Sequence, residues 1–331
     1  MRLKATTLKC LLLFITVQLL LSTFLFILHN GKRFIQSFKS PSASWKLNEE
    51  THVYEFQNKP PIWVYWDTLE NQHLLPPHIC LSLKTIYCHN HQDFTIKLVT
   101  RETFPHYVKN IHRVTRYFIS AHRADYFRSR ILEQYGGVYL DIDAVALQSL
   151  KTYYDHLKVY DIVTHSDYNE KISMGFLGPV RAGHLLFRQY TEKVHRLFDA
   201  RYNGSNNITR DVFGWSEMGG RITIPTFHEL LRLNLTNPIV YHGRSTVIQL
   251  VTHYDPLTQL NSSQTLLTKM NLANTPLLYY HNSGVLPKVK QMYPTELSLL
   301  KSNTVLGYLF RIALENCTQI PTCEDLQKEL A

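Results

Sequence analysis

Between residues 120 and 143, SAHRADYFRSRILEQYGGVYLDID, the apolar positions of this chain change period. In the first half Ala124, Phe127 and Ile131 recur at helical spacing. That spacing predicts a helix from about Ala121 to Gln134, with Ser120 as N-cap. Asp125 and Arg128, three residues apart, share an adjacent face. Gly136 and Gly137 then admit the left-handed backbone that stops a helix. From Val138 to Asp143 the period is two. Val138, Leu140 and Ile142 point one way; Tyr139, Asp141 and Asp143 point the other. Apolar runs at Ile62–Trp66 and Phe94–Val99 read as strands, and residues 78–88 between them as a helix. Further strands are expected at Ile162–Thr164 and Ile172–Leu177, with Gly175, Gly178 and Gly183 marking turns. An amphipathic helix follows over residues 184–200, whose apolar stripe suits a core. Another helical pattern runs from Ile224 to Leu233. Leu277–Tyr280 reads as a strand leading into His281-Asn282. Strand, helix, strand alternation of this kind predicts an α/β domain with a mostly parallel sheet.

The chemistry lies where the period changes. Two carboxylates two residues apart on a strand share one side, roughly 6 to 7 Å apart at Cα. Asp141 and Asp143 are therefore candidate ligands of one Mg²⁺ or Mn²⁺, both of which favour oxygen donors. Such a cation keeps positions open for substrate phosphates. An Asp-x-Asp pair by itself is more often an exposed strand end. Here it comes with Asp125, Arg128, Gly136, Gly137 and Tyr139 in one unit. Asp125 and Arg128 suit vicinal hydroxyls, although an ordinary helix ion pair explains them equally. Trp63 and Trp66 suit the core as well as a ligand.

This unit resembles the Asp-x-Asp glycosyltransferases of family 32, which include α1,4-galactosyltransferases and α1,6-mannosyltransferases, and the capsular-polysaccharide sugar transferases. Their pattern, S-D-x-x-R-x-x-x-L-x-x-Y-G-G-x-Y-x-D-x-D, reads here A-D-Y-F-R-S-R-I-L-E-Q-Y-G-G-V-Y-L-D-I-D. Only the serine departs, being Ala124. The glucosylating bacterial toxins are similar over the same span, and weaker similarity covers about residues 60–285. The resemblance implies a GT-A-type α/β/α sandwich that binds a nucleotide sugar. It also implies retaining, metal-dependent transfer of a hexose or N-acetylhexosamine from a UDP- or GDP-sugar to a glycan or glycolipid, forming an α linkage. Asp141 and Asp143 would be catalytic and hold Mn²⁺ or Mg²⁺, with His281 reaching the metal or diphosphate. A histidine satisfied at a strand end is the competing account of His281. Trp66 would stack on the base, Asp125 and Arg128 would hold the sugar, and Tyr139 would belong to the donor site. The family's W/T-x-x-G-P segment is matched loosely by Gly214–Gly220, with Gly220 in place of proline; Trp215 or Glu217 would face the acceptor.

The termini and cysteines bear on location. Cys10–Leu28 is an uncharged apolar run of 19 residues, just long enough to span a bilayer. No small-residue cleavage site follows, so an uncleaved signal anchor is expected. This divides the chain into a cytoplasmic tail (1–9), an anchor (10–28), a polar stem (29–59) and a luminal catalytic body (60–331). Sequons at Asn203, Asn207, Asn234, Asn261 and Asn316 all follow the span, which favours a single-pass type II protein of the Golgi or ER membrane. Cys80, Cys88, Cys317 and Cys323 suggest two disulfides in such a lumen. Three pairings exist, and the local one, Cys80–Cys88 with Cys317–Cys323, is expected. A zinc site of Cys80, Cys88, His89 and His91 lacks the usual spacing. The net charge of +9 comes with no basic run or nucleic-acid motif and suits anionic substrates. Two other classes use the same features. One is an inactive luminal sugar-binding or scaffold protein with a transferase fold; the other is a metal-dependent sugar-phosphate phosphotransferase or hydrolase.

Overall fold

β1 (Pro61–Tyr65) is buried at every position, so both of its faces must be covered, as in a parallel sheet. In the computed structural model it lies inside a six-stranded sheet of order β2-β1-β3-β6-β5-β7. The other strands are β2 (Thr95–Val99), β3 (Gly137–Asp141), β5 (Ile162–Ser166), β6 (Phe176–Val180) and β7 (Pro238–His242). β1 pairs in parallel with β2 and β3, and β5 with β7. Only β6 runs against its neighbours. The sheet is thus mostly parallel. The structure describes residues 59–67, 74–166, 172–202, 213–242, 247–249, 257, 272, 275–280, 288–289 and 291–331, all within the unit Glu55–Ala331. Among them no helix is long and apolar enough to cross a membrane. The expected span Cys10–Leu28 lies outside them, as do the stem up to residue 58, His281 and the sequons at Asn203, Asn207 and Asn261.

Alternation within the strands sorts the core into two layers. Ile62 and Val64 of β1, with Val138 and Leu140 of β3, pack with Ile79, Leu83 and Ile86 of helix α1 (Pro77–Asn90). Trp63, Tyr65 and Tyr139 face the other way, onto Tyr126, Phe127 and Ile131 of helix α2 (Ser120–Gln134). Trp63 is therefore core, and its indole N–H donates to the Gly136 carbonyl at 3.0 Å. Helix α3 (Leu185–Tyr202) covers α2 with Phe187, Tyr190, Val194 and Phe198. Helix α4 (Gly220–Arg232) continues that layer with Phe227 and Leu230.

The turn from α2 into β3 takes the backbone that the two glycines allow, with φ of 65° at Gly136 and 89° at Gly137. A Cβ on Gly137 would meet the Pro61 carbonyl oxygen at 2.4 Å, so β3 docks against β1 only without one. Some expected boundaries move. Ser120 is the first helical residue rather than the cap; Ile119 occupies the N-cap with no side-chain bond. The strand expected over Ile172–Leu177 starts only at Phe176, and Gly178 lies inside it rather than in a turn. α4 starts at Gly220, four residues before Ile224.

The main correction concerns β3, which stops at Asp141 instead of Asp143. Its last bond in the sheet runs from the Asp141 N–H to the Gly175 carbonyl, 2.8 Å. Ile142 and Asp143 then turn, and β4 (Ala144–Ala146) enters a second sheet of order β4-β9-β8. In it β8 is Val247–Gln249 and β9 is Leu277–Tyr279. Asp141 closes one sheet and Asp143 precedes the other, so the two do not share one strand.

The cysteine pairing differs from the local one. Cys80 is bonded to Cys323 and Cys88 to Cys317, with Cα atoms 5.8 Å apart in each. The reason is geometric. Cys80 and Cys88 both lie on α1, and eight residues of α-helix rise about 12 Å. That exceeds the roughly 7 Å a disulfide can span. Both bridges tie the C-terminal region to α1, where helices α5 (Val305–Leu314) and α6 (Cys323–Leu330) add Leu306, Leu309, Phe310 and Leu326 to the first core layer. Zinc is not their use, since Cys88 and Cys317 are bonded to each other and His89 Nε2 meets the Ala313 carbonyl at 2.7 Å. Peptide mapping without reduction should recover the 80–323 and 88–317 links. Replacing Cys88 and Cys317 together with serine should cost about 2–5 kcal/mol, read by chemical denaturation.

Candidate functional site

The strand order 2-1-3 means that the chain leaves β1 first to one side and later to the other. That switch point lies between β1 and β3, and ligands of open α/β sheets bind in the crevice beyond the strand ends there. Tyr65 pairs with Asp141 across it. Trp66, half-buried, leaves the sheet one residue later, its N–H bonded to the Val99 carbonyl at 3.0 Å. Trp66 and Asp141 thus lie at the same end of neighbouring strands, 75 residues apart in sequence.

Asp141 points to the α2 side because it follows Tyr139 by two. Its Oδ1 accepts from the Tyr139 hydroxyl at 3.0 Å and from Arg128 Nη2 at 3.1 Å. Arg128 is 5% exposed. It also donates to the Met174 carbonyl, lies 3.4 Å from Asp125 Oδ1, and sits over the Tyr139 ring at 4.6 Å. Asp125 is buried, and Tyr190 donates to its carbonyl at 3.2 Å. Burial pushes the Asp125 carboxyl above its usual range, and the Arg128 charge opposes that rise. Burial also holds the Tyr139 hydroxyl well above its ordinary pKa, so it stays a donor to Asp141. Tyr139 is completely buried and acts on Asp141 rather than at the surface of the crevice.

The acidic pair fits a hard cation. Both of Asp141's hydrogen bonds fall on Oδ1, leaving Oδ2 without a donor among the described residues. The side chain is 36% exposed, so this second oxygen is available from the crevice. Asp143, in the adjoining turn, is half-buried. The Tyr279 hydroxyl is pushed well above its ordinary pKa by burial first and then by the charges of Asp141 and Asp143. Both carboxylates therefore bear on one point beside β9. His281, the third expected ligand, lies outside the described residues.

Residues 46–161 match the family described as glycosyltransferase sugar-binding region containing DXD motif. The chain is a glycosyltransferase, similar to this family over about a third of its length. None of the curated protein sequences matches it. Three solved structures show distant likeness. The galactosyltransferase LgtC, in complex with donor and acceptor sugar analogues, is 14% identical at a TM-score of 0.39, covering 82% of this chain and 100% of its own. GlyE of Streptococcus pneumoniae TIGR4 is 11% identical at 0.37, covering 82% of this chain and 64% of its own. PaToxG glycosyltransferase is 12% identical at 0.36, covering 53% and 70%.

In this glycosyltransferase three supports escape a reading of the motif alone. Arg123, two residues before Asp125, forms a buried ion pair with Asp67 and donates to the Phe118 carbonyl at 2.6 Å. α2 is thereby tied to the chain just past Trp66. Tyr279 donates to the Gly175 carbonyl at 2.7 Å, the same carbonyl that receives the Asp141 N–H. Gly219, at the N-cap of α4, lies against Asp125: a Cβ there would stand 2.8 Å from both carboxylate oxygens. The Gly214–Gly220 segment therefore reaches the site through a glycine. Glu217 accepts from the Gly214 N–H at 2.8 Å and pairs with Arg201, while Trp215 is exposed. Only Asp67 carried a sequence signal, as a charge directly after an aromatic strand end. Gly219→Ala should move the Asp125 carboxylate, and a displacement of about 1 Å can cost on the order of 10²-fold in rate. Steady-state kinetics beside a thermal melt would check this, the melt moving little.

Proposed function

We propose that this protein transfers a hexose or N-acetylhexosamine from a UDP- or GDP-sugar to a glycan or glycolipid acceptor, with retention and an α linkage. The observation that carries the reading is the Asp125–Arg128–Asp141 cluster at the switch point, with Asp141 Oδ2 open to the crevice. Asp141 and Asp143 would hold a divalent cation, Mn²⁺ or Mg²⁺, which when bound neutralises charge on the donor's diphosphate. The protein's own groups do the rest. Tyr139 and Arg128 fix one oxygen of Asp141 and so aim the other. Asp125 and Arg128 face the hydroxyls of the sugar. Trp66 offers its ring to the base from the far side of the crevice. His281 is the further candidate for the metal or diphosphate. Among the described residues no side chain on the sugar side is placed as a covalent nucleophile, and attack on the face the nucleotide leaves is the step we propose for retention.

The same reading puts the body in the lumen of the Golgi or ER, held by the apolar span at residues 10–28. Its supports are that span, the later sequons and the two disulfides. The test is a donor screen on the full chain with Mn²⁺, comparing UDP- and GDP-sugars and detecting the released nucleotide. Metal-dependent release of a nucleoside diphosphate is expected. Release of inorganic phosphate would favour a phosphotransferase or hydrolase. No turnover of any donor would favour the inactive sugar-binding protein.

A further inference from the structure

Nine large hydrophobic side chains are exposed among the described residues, and three of them fall within five positions. Leu231, Leu233 and Leu235 are 36%, 42% and 52% exposed at the C-terminal end of α4. The residue in their midst is Asn234, itself exposed, and Asn234-Leu235-Thr236 is a sequon. The backbone fixes this asparagine. Leu235 N–H reaches back to the Leu230 carbonyl at 2.9 Å, and Asn234 N–H to the Leu231 carbonyl at 3.0 Å. With Asn234 at φ 57°, this is the paired-bond helix ending whose left-handed position takes glycine or asparagine. Thr236 is held too, its hydroxyl donating to Asp161 at 3.0 Å. The asparagine amide is thus carried by an ordered chain end into solvent, between leucines that nothing among the described residues covers. Asn316, the other described sequon, is also exposed, but its middle residue is Cys317, bonded to Cys88, and no exposed leucine adjoins it.

We propose that Asn234 carries an N-linked glycan and that this glycan covers Leu231, Leu233 and Leu235. The proposal rests on the luminal placement given above. In the modification the Asn234 amide nitrogen bonds to the anomeric carbon of an oligosaccharide carried on a lipid diphosphate. The bond from that carbon to the diphosphate breaks, the diphosphate leaves, and the amide gives up one proton. It takes place on the incoming chain, before Thr236 meets Asp161. Sugar rings turn their C–H faces to apolar side chains and their hydroxyls to water, which suits leucines at a solvent boundary.

The test expresses the full chain in a secretory eukaryotic cell and maps glycopeptides by mass spectrometry. Asn234 should be occupied in most copies. Asn234→Gly is the discriminating variant, because glycine keeps the left-handed helix ending while removing the sequon. It should lose one glycan in mass, keep its melting temperature, and bind a hydrophobic dye several-fold more. Adding Leu233→Ser and Leu235→Ser to it should reverse the dye binding. Asn234→Gln is the second variant, should the first misbehave. A bare Asn234 on a chain glycosylated elsewhere overturns the proposal alone. A chain bare at all five sequons overturns the luminal placement with it. Unchanged dye binding after loss of the glycan overturns the covering role, as does a dimer formed through the leucines of the glycosylated protein.

Discussion

Asp143→Ala is expected to reduce donor turnover by about 10³-fold or more while leaving the fold intact. The size follows from the proposed role of Asp143 as one of two charged oxygen ligands of a cation that would offset diphosphate charge, where losing a single neutral donor already costs on the order of 10²–10³-fold. The fold should survive because Asp143 lies in the two-residue turn between sheets. Its backbone carbonyl, which accepts from Tyr280 at 3.3 Å, remains. A stability change within about 1 kcal/mol is expected. Asp141→Asn makes the companion. It keeps the shape and the acceptor for Tyr139, but Arg128 loses an ionic partner 3.1 Å away. Turnover should fall as far, and stability by about 1–3 kcal/mol. Nucleotide release gives the rates, Mn²⁺ titration gives metal affinity, and urea denaturation gives stability. Asp143→Ala with near wild-type turnover would remove the acidic pair from the mechanism.

Much of this arrangement could be read from the chain, because its periodicities are local. α2 matches its expected limits to within one residue at each end, and Asp125 and Arg128 meet as helical spacing requires. β1 and β2 also stand close to where their apolar runs place them. The errors come where tertiary pairing overrides a local pattern. The alternation through Asp143 is real, but hydrogen bonding to β6 ends at Asp141 and pairing with β9 begins at Ala144. A period-two pattern cannot report that its strand has changed sheets. The cysteines teach the opposite lesson. Placing residues 78–88 in one helix already excluded a Cys80–Cys88 bridge, and the true partners lie 243 and 229 residues away. For Arg123–Asp67 and Gly219–Asp125 no local pattern named the partner, although the charge of Asp67 after Trp66 was visible. They are contacts between segments 56 and 94 residues apart, set by how α2 and α4 sit on the sheet.

Arg128→Met should be the most damaging single change in stability, and its pH dependence shows why. The guanidinium is buried among two carboxylates and the Met174 carbonyl, so its loss leaves Asp125 and Asp141 without their shared cation. Breaking such a buried group costs about 3–5 kcal/mol. Asp125 suffers most, because burial already lifts its pKa and Arg128 is the main opposing charge. A carboxyl with a raised folded pKa contributes stability at low pH, which is lost as pH rises through that value. In the variant the folded pKa climbs further, so the variant should be weakened more at pH 8 than at pH 5. Wild type should show a smaller difference. Arg128→Lys separates structure from function. It keeps the charge, which should limit the loss of stability to about 1–2 kcal/mol. It cannot reproduce the planar fork that reaches Asp141, Asp125 and Met174 together, so turnover should still fall by about 10²-fold. Denaturation at the two pH values, with donor turnover beside it, gives all four comparisons. An Arg128→Met chain as stable at pH 8 as at pH 5 would show that Asp125 is not the carboxyl whose rise this arginine opposes.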